Sequence, residues 1–228
     1  MSGPNDGRPG QAPGGSPWIT DLRWAREAQQ ERSKRTQSAL LDAVEDELET
    51  TPIKELSVAD IARRAGVSTG SVYHHFANKQ ALLYAMLDRF HDELIVTTDD
   101  ATDPARWEGA GLLDVLRGYA EFFLRRSREG PGFTRARLQL ALDDAEIAAQ
   151  EEKGWVYMYD RVVQLLWARR SEIGRTPKGD SIRFVLDQVA GSITARVILP
   201  GVGRAIDSDA EFLDAIVESA RRFLRIDP

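Results

Sequence analysis

A chain of 228 residues, 42% of them hydrophobic, is long enough to build one large or two small globular units around a packed core. It has no cysteine, which excludes disulfides, thiol catalysis and thiolate metal sites and fits a reducing compartment, so a cytoplasmic setting is expected. The net charge of −6 rules out a uniformly basic nucleic-acid binder but not one with a locally basic face.

Met1 to Pro17 holds five glycines and four prolines with no apolar periodicity, so this stretch is expected to be disordered. From Trp18 to Arg35 the chain turns to helix formers and carries Arg23, Arg26, Arg32, Lys34 and Arg35; it reads either as an extension of the first helix or as a solvated basic tail. The first core helix is expected from about Ser33 to Glu49, with Leu40, Val44 and Leu48 spaced by four. Its other face is acidic (Asp42, Glu45, Asp46, Glu47, Glu49) and would repel a polyanion. Pro52 marks the following loop.

Ser57 to Leu83 is the most informative stretch. Ser57 is a good N-cap, and Val58, Ile61, Ala62 and Ala65 recur at helical spacing. Gly66 can take a left-handed conformation and reverse the chain, with Val67 plugging the turn back into the core. Ser68 or Thr69 can cap a second short helix through about Phe76. Val72 and Phe76 then share one face, leaving Thr69, Gly70, Ser71, Tyr73 and His74 to point elsewhere. Such a small, polar face fits a major groove, where hydroxyl, imidazole and backbone donors meet phosphates and base edges. Asn78 caps a third helix with Lys79 in its first turn, a combination suited to clamping phosphate.

The run IARRAGVSTGSVYHHFANKQALL resembles the signature of tetracycline-repressor (TetR) type regulators in its AGVS turn, small-residue helix start, Tyr73, Phe76, the lysine after the loop and the following leucines. The resemblance implies an all-α protein: an N-terminal three-helix helix-turn-helix domain plus a C-terminal helical ligand-binding and dimerisation domain. The implied division is a disordered or basic extension over 1–30, a DNA-binding domain over 31–80 and an effector-binding and dimerisation domain over 81–228. The implied function is a ligand-responsive repressor binding a palindromic operator in double-stranded DNA as a homodimer. Arg35, Ser57, Ser68, Thr69, Gly70, Ser71, Tyr73, His74 and Lys79 would face the DNA. The alternative is a helical ligand-binding or adaptor protein whose helix-turn-helix does not bind DNA; bulky acids on the Thr69–His74 face would favour it, and the sequence has none there.

Beyond Phe76, Leu82, Leu83, Met86, Leu87, Phe90 and Leu94 continue one helical face to about Val96, a natural connecting rod closed by an acidic loop from Asp99 to Pro104. Leu112, Leu113, Leu116, Tyr119, Ala120 and Phe123 form the next stripe; Pro131 and Gly132 break the chain, Phe133 to Ala149 makes another helix, and Gly154 is read as opening one more. This region is aromatic: Phe122, Phe123, Phe133, Trp155, Tyr157, Met158, Tyr159 and Trp167 can line a pocket or simply fill a core. The resemblance favours a site for a small apolar or aromatic effector built on Tyr119, Phe123, Trp155, Tyr159 and Trp167.

From about Lys178 to Leu199, Ile182, Val185, Leu186, Val189, Ile193 and Val197 cover more than one face, with Gly191, Ser192 and Ala195 between them. The last helix carries a second wide band, Phe212, Leu213, Ile216, Val217, Ala220, Phe223 and Leu224, and the two together suggest a four-helix dimer interface.

Catalytic readings find little support. His74 and His75 are neighbours about 100° apart on a helix and cannot share a site. Neither a P-loop, a Cys/His metal spacing nor a nucleophile elbow is present. Asp143, Asp144 and Glu146 read as a solvated edge. No enzymatic activity, metal or cofactor is therefore expected, and no membrane association, since no apolar run approaches the roughly 18 residues that span a bilayer.

Overall fold

Nine α-helices and two short 3-10 turns make up the regular structure of the described residues, with no strand among them. The computed structural model describes residues 17–174, 179–199, 201 and 206–227, with side chains from Gln30 onward. The expected disorder of Met1 to Pro17 concerns residues outside that range apart from Pro17, which begins α1 (Pro17–Leu48). Helix formers from Trp18 onward continue the helix that apolar spacing alone placed from Ser33.

The chain divides into two compact units, one ending at Ala39 and one beginning at Leu40. In the first, the described side chains are largely exposed. Lys34 pairs with Glu31 at 3.2 Å, and the Thr36 hydroxyl donates to the Arg32 carbonyl.

The second unit has two apolar cores. One gathers Leu40, Val44 and Leu48, then Ile61 and Ala62 of α2 (Val58–Arg64), Val72 of α3 (Thr69–His75), and Leu82, Leu83, Met86 and Leu87 of α4 (Lys79–Ala101). Ala136 of α6 (Pro131–Asp143) and Ile147 of α7 (Ala145–Trp167) belong to this same core, so the helix-turn-helix shares its interior with the helices that follow. Leu40, Ile61, Leu82, Met86 and Leu87 are fully buried, each contributing roughly 1.5–3 kcal/mol. The other core joins α5 (Leu112–Glu129), α7, α8 (Gly179–Ile198) and α9 (Asp209–Leu224).

Four boundaries differ from the expectation. α4 runs on to Ala101, because Asp99 is not loop: it accepts from the Tyr157 hydroxyl at 2.5 Å and pairs with Arg161 at 3.0 Å, and Thr98 is buried. Pro131 starts α6, its missing N–H being one that a first helical turn leaves free. Gly132 lies against the backbone of α1, where an added Cβ would stand 2.3 Å from the Leu48 carbonyl oxygen. Gly154 opens no helix; it sits inside α7, and an added Cβ would stand 3.0 Å from Cδ2 of His91 on α4. The chain breaks instead at Asp144, which lies half-buried between exposed Asp143 and Glu146 and whose carboxylate caps α7 through the N–H groups of Glu146 and Ile147.

The acids of α1 are ties rather than a bare repulsive face. Asp42 and Glu45 pair with Arg89 of α4, both at 2.6 Å, and buried Glu47 holds Arg64 of α2 at 2.7 Å. Glu49 accepts from the Gly132 and Phe133 N–H groups at the start of α6. Among the described residues no helix is long and apolar enough to cross a membrane.

Candidate nucleic-acid interface and effector cavity

The turn between α2 and α3 forms for local reasons. Gly66 takes φ +69°, a left-handed conformation that side chains other than glycine resist, and the Val67 N–H closes the turn on the Ala62 carbonyl. Ser57 caps α2, accepting from the Asp60 N–H at 3.1 Å while its hydroxyl donates back to the Asp60 carboxylate. That bond, with Arg63 alongside, holds the Asp60 carboxyl below its ordinary range. Ser68 caps α3 by accepting from the Ser71 N–H at 3.1 Å.

α3 stands on Val72, 2% exposed, with Phe76 at its end also buried. Around this apolar foot, Ser68, Thr69, Gly70, Tyr73 and His74 are exposed and Ser71 is half-buried, so the residues marked for DNA share one accessible helix. Tyr73 is 54% exposed, a large ring that the subunit leaves uncovered. Arg35, also exposed, belongs to the first compact unit.

Lys79 does something the sequence did not indicate. Its ammonium donates to the Leu56 carbonyl at 2.8 Å and to the Ile53 carbonyl at 3.4 Å, fastening the start of α4 to the loop before α2. Arg63 and Arg64 are likewise engaged, by Asp60 and Glu47. The α2–α3 face therefore presents chiefly hydroxyls, imidazole and helix-start N–H groups, and its nearest cations, Lys79, Arg63 and Arg64, each already hold a partner within the fold.

A cavity of about 230 Å³ lies where α4, α5, α6 and α7 meet, with Glu45 and Asp46 of α1, Glu49 just after it and Thr194 of α8 also on its wall. Phe123 and Trp155 line it, with rings 5.4 Å apart, as do Phe90 and Phe133 at 5.3 Å. The other expected effector residues are placed differently. Tyr119 lines a separate apolar pocket of about 40 Å³ with Trp107 and Val162. Burial pushes its phenol well above the ordinary value. Tyr159 packs edge-on against Trp155 at 5.7 Å without lining the cavity, and burial, helped by Asp187, pushes its phenol up to about 12. Trp167 does not join them: twelve residues beyond Trp155, or roughly 18 Å along a helix, it is 38% exposed under the Arg170 guanidinium.

The polar residues nearest the cavity's aromatic rings escaped the sequence expectation, as did the charged residues elsewhere on its wall. His91, Arg137 and Glu151 line it, the last two buried and paired with each other, and the Arg137 guanidinium also sits 4.5 Å from the Phe90 ring centre. Burial lowers the Arg137 pKa, with Glu151 opposing. A signal existed: Arg137 follows Phe133 by four, and Glu151 falls between Ile147 and Trp155 at the same spacing, so both are charges on apolar stripes.

Residues 40–86 match the family described as "Bacterial regulatory proteins, tetR family". The HTH-type transcriptional regulator TtgR of Pseudomonas putida is 36% identical over 62 residues, 27% of this chain and 30% of that protein. The HTH-type transcriptional repressor KstR2 of Mycobacterium tuberculosis is 30% identical over 109 residues, 48% of this chain and 50% of that protein. The matches thus cover from about a third to half of these relatives' lengths. In fold the likeness is wider: a TetR transcription regulator from Haloarcula marismortui superposes with a TM-score of 0.61 at 19% identity, covering 83% of this chain and 96% of that one.

Proposed function

We propose that this tetR-type regulatory protein binds a near-palindromic operator in double-stranded DNA as a homodimer, and that a small apolar or aromatic effector in the α4–α7 cavity controls the binding. The carrying observation is α3: a foot of Val72 and Phe76 in the core, and an exposed face of small polar residues with Tyr73 and His74. Ser68, Thr69, Gly70, Ser71, Tyr73 and His74 meet phosphates and base edges. Ser57 and Lys79 act one step back, fixing the helix-turn-helix. Repression is the reading that KstR2's name supports.

Dimerisation is proposed through α8 and α9, on a narrower surface than their composition suggests. Ile182, Val185, Leu186, Val189 and Ile193, with Phe212, Leu213, Ala220 and Leu224, are all buried within the subunit. More outward are Phe184 on Phe223, with ring centres 5.1 Å apart, half-buried Val197, Ile216 and Val217, and Gly191, where an added Cβ would meet nothing within 4 Å. An exposed aromatic pair with a small residue two turns along the same helix favours close approach of a second helix. Gly191→Arg should shift the sedimenting species from dimer to monomer.

The effector acts through α4, which runs from the helix-turn-helix core at Leu82 to the cavity at Phe90, His91 and Leu94. A ligand changes DNA affinity only if it prefers one arrangement of that helix, and a coupling of about 1–3 kcal/mol suffices for a 5- to 150-fold change. The test is a titration of the protein's own promoter against random duplex at stated salt, since phosphate contacts alone can mimic affinity. Half-sites about 34 Å apart with clear preference over random duplex are expected; equal affinity for both would falsify the assignment.

A further inference from the structure

We propose that the effector is a neutral, ring-containing molecule bearing a hydroxyl group, seated with that hydroxyl on the buried Arg137–Glu151 pair. The proposal rests on the reading of this cavity as the effector site and adds the chemistry of what enters it.

The rings decide the body of the ligand. Phe90 and Phe133 meet edge-to-face, as do Phe123 and Trp155, and these four aromatics supply flat apolar wall to a cavity of about 230 Å³. That space is small beside pockets for drug-sized compounds and suits about two fused rings.

Charge decides against an ion. Of the carboxylates around the cavity, Glu45 is held by Arg89, Glu49 by the first N–H groups of α6, Glu129 by Arg126 and Glu151 by Arg137. Asp46 and Glu93 are exposed to water. A charged head group seated at the buried Arg137–Glu151 pair would lose its hydration and find those two counterions already engaged with each other.

Unmet hydrogen bonds decide the head group. Nε of Arg137, a donor, and Oε1 of Glu151, an acceptor, are both buried without a hydrogen-bond partner. Nε2 of His91 stands 3.2 Å from that same Oε1, also without forming an aligned hydrogen bond. A free donor on Arg137 and a free acceptor on Glu151, two side chains already paired through their other atoms, call for a group that accepts and donates at once. A hydroxyl does both with one heavy atom; a carbonyl only accepts, an ammonium only donates, and a carboxylate only accepts and is repelled by Glu151. Reaching the two atoms takes a torsional adjustment of two flexible side chains that already form part of the wall. The contact would bear on control as well, because His91 lies on α4, Arg137 on α6 and Glu151 on α7, so a hydroxyl placed among them touches the helix leading to the DNA-binding core.

The experiment is calorimetric titration of the full chain, without DNA, at neutral pH, with four probes on one skeleton: naphthalene, naphthol, naphthoate and naphthylmethylammonium. Naphthol should bind roughly 10- to 100-fold more tightly than naphthalene, as expected for a hydrogen bond to charged partners, with both ions no tighter than naphthalene. The double variant Arg137→Met/Glu151→Leu removes both charges together and strands neither. It should bind naphthol and naphthalene alike. Equal binding of those two probes by the unaltered chain, tightest binding of either ion, binding of none of the four, or an intact naphthol preference in the double variant each overturns the proposal. Should the double variant not fold, the order of the four probes on the unaltered chain decides. DNA takes no part in this measurement, so its failure leaves the operator reading to stand or fall on the promoter titration.

Discussion

The Tyr84 hydroxyl on α4 donates to the carboxylate of Asp144, the residue that caps α7, at 2.6 Å. Gln80, one turn earlier on α4, donates to the same oxygen at 3.3 Å, so the start of α7 is latched to the first turns of the helix leaving the helix-turn-helix. The Tyr84 bond is the chief cause holding the Asp144 carboxyl below its ordinary range, and Asp144 in turn raises the Tyr84 phenol. Tyr84→Phe should leave the fold and ligand-free operator binding near normal while reducing the factor by which an effector changes operator affinity. The check is the ratio of operator dissociation constants with and without ligand; an unchanged ratio would make the latch purely structural.

Two glycines in helices should respond oppositely to alanine. At Gly132 the new Cβ meets Leu48 O and Glu49 Cα at 2.3 and 2.4 Å, both backbone, so Gly132→Ala should destabilise by about 1–3 kcal/mol or more as α6 is pushed off α1. At Gly191 nothing lies within 4 Å, and Gly191→Ala should stabilise the subunit by about 0.5–1 kcal/mol through helix propensity. Urea unfolding of the two variants at low protein concentration measures both signs.

Lys79→Met should lower stability by roughly 1–3 kcal/mol, because the Leu56 carbonyl loses its donor in a partly buried site. Operator affinity should fall equally for all sequences as α3 is less firmly held. Parallel denaturation and binding curves test this: weaker binding with unchanged stability and a salt slope reduced by about one unit would return Lys79 to direct phosphate contact.

Acid should act partly through α9. Hydrogen bonds from Arg221, then Arg222, lower the Glu218 pKa from 4.5 to about 2. Its folded value lies below its unfolded one, so its stabilising contribution is complete above about 4.5 and is lost as the pH falls towards about 2. The group is exposed, so salt should shrink the effect. Unfolding midpoints followed through that window should fall less steeply in Glu218→Gln than in the unaltered chain, and the two curves should converge at high salt.

Trp155→Leu should weaken ligands of the cavity, whose wall it forms with Phe123, while Trp167→Leu should not, since that ring lies on the surface. Ligand titrations of both variants, with ligand-free operator binding as the control, separate a binding role from a core role.

Local chemistry wrote much of this protein into its sequence. Ser57, Gly66, Ser68 and Asn78 each act within a few residues of themselves, as caps and a left-handed turn, so the helix-turn-helix and the exposed face of α3 could be read directly. The helical character of the rest followed from apolar spacing for the same reason. Long-range choices could not be read that way. Lys79 reaches back to Leu56, Glu49 to Gly132, and Tyr84 forward to Asp144, and no local pattern says whether a charge near a helix start meets a phosphate, a carbonyl or another helix. Gly154 looked like a helix start because glycine disfavours helices; only the approach of α4, with His91 against it, explains its place within one. Apolar spacing on α8 and α9 could not tell a subunit's own core from a partner's surface, because both bury the same kind of side chain. Tertiary packing drew that line, placing Ile182, Leu186 and Ile193 inside and leaving Phe184 and Phe223 out. It likewise gathered Phe90, His91, Arg137, Glu151 and Trp155 from three helices around one cavity and left Trp167 apart, because what lines a cavity is set by how helices cross and not by the spacing along any one of them.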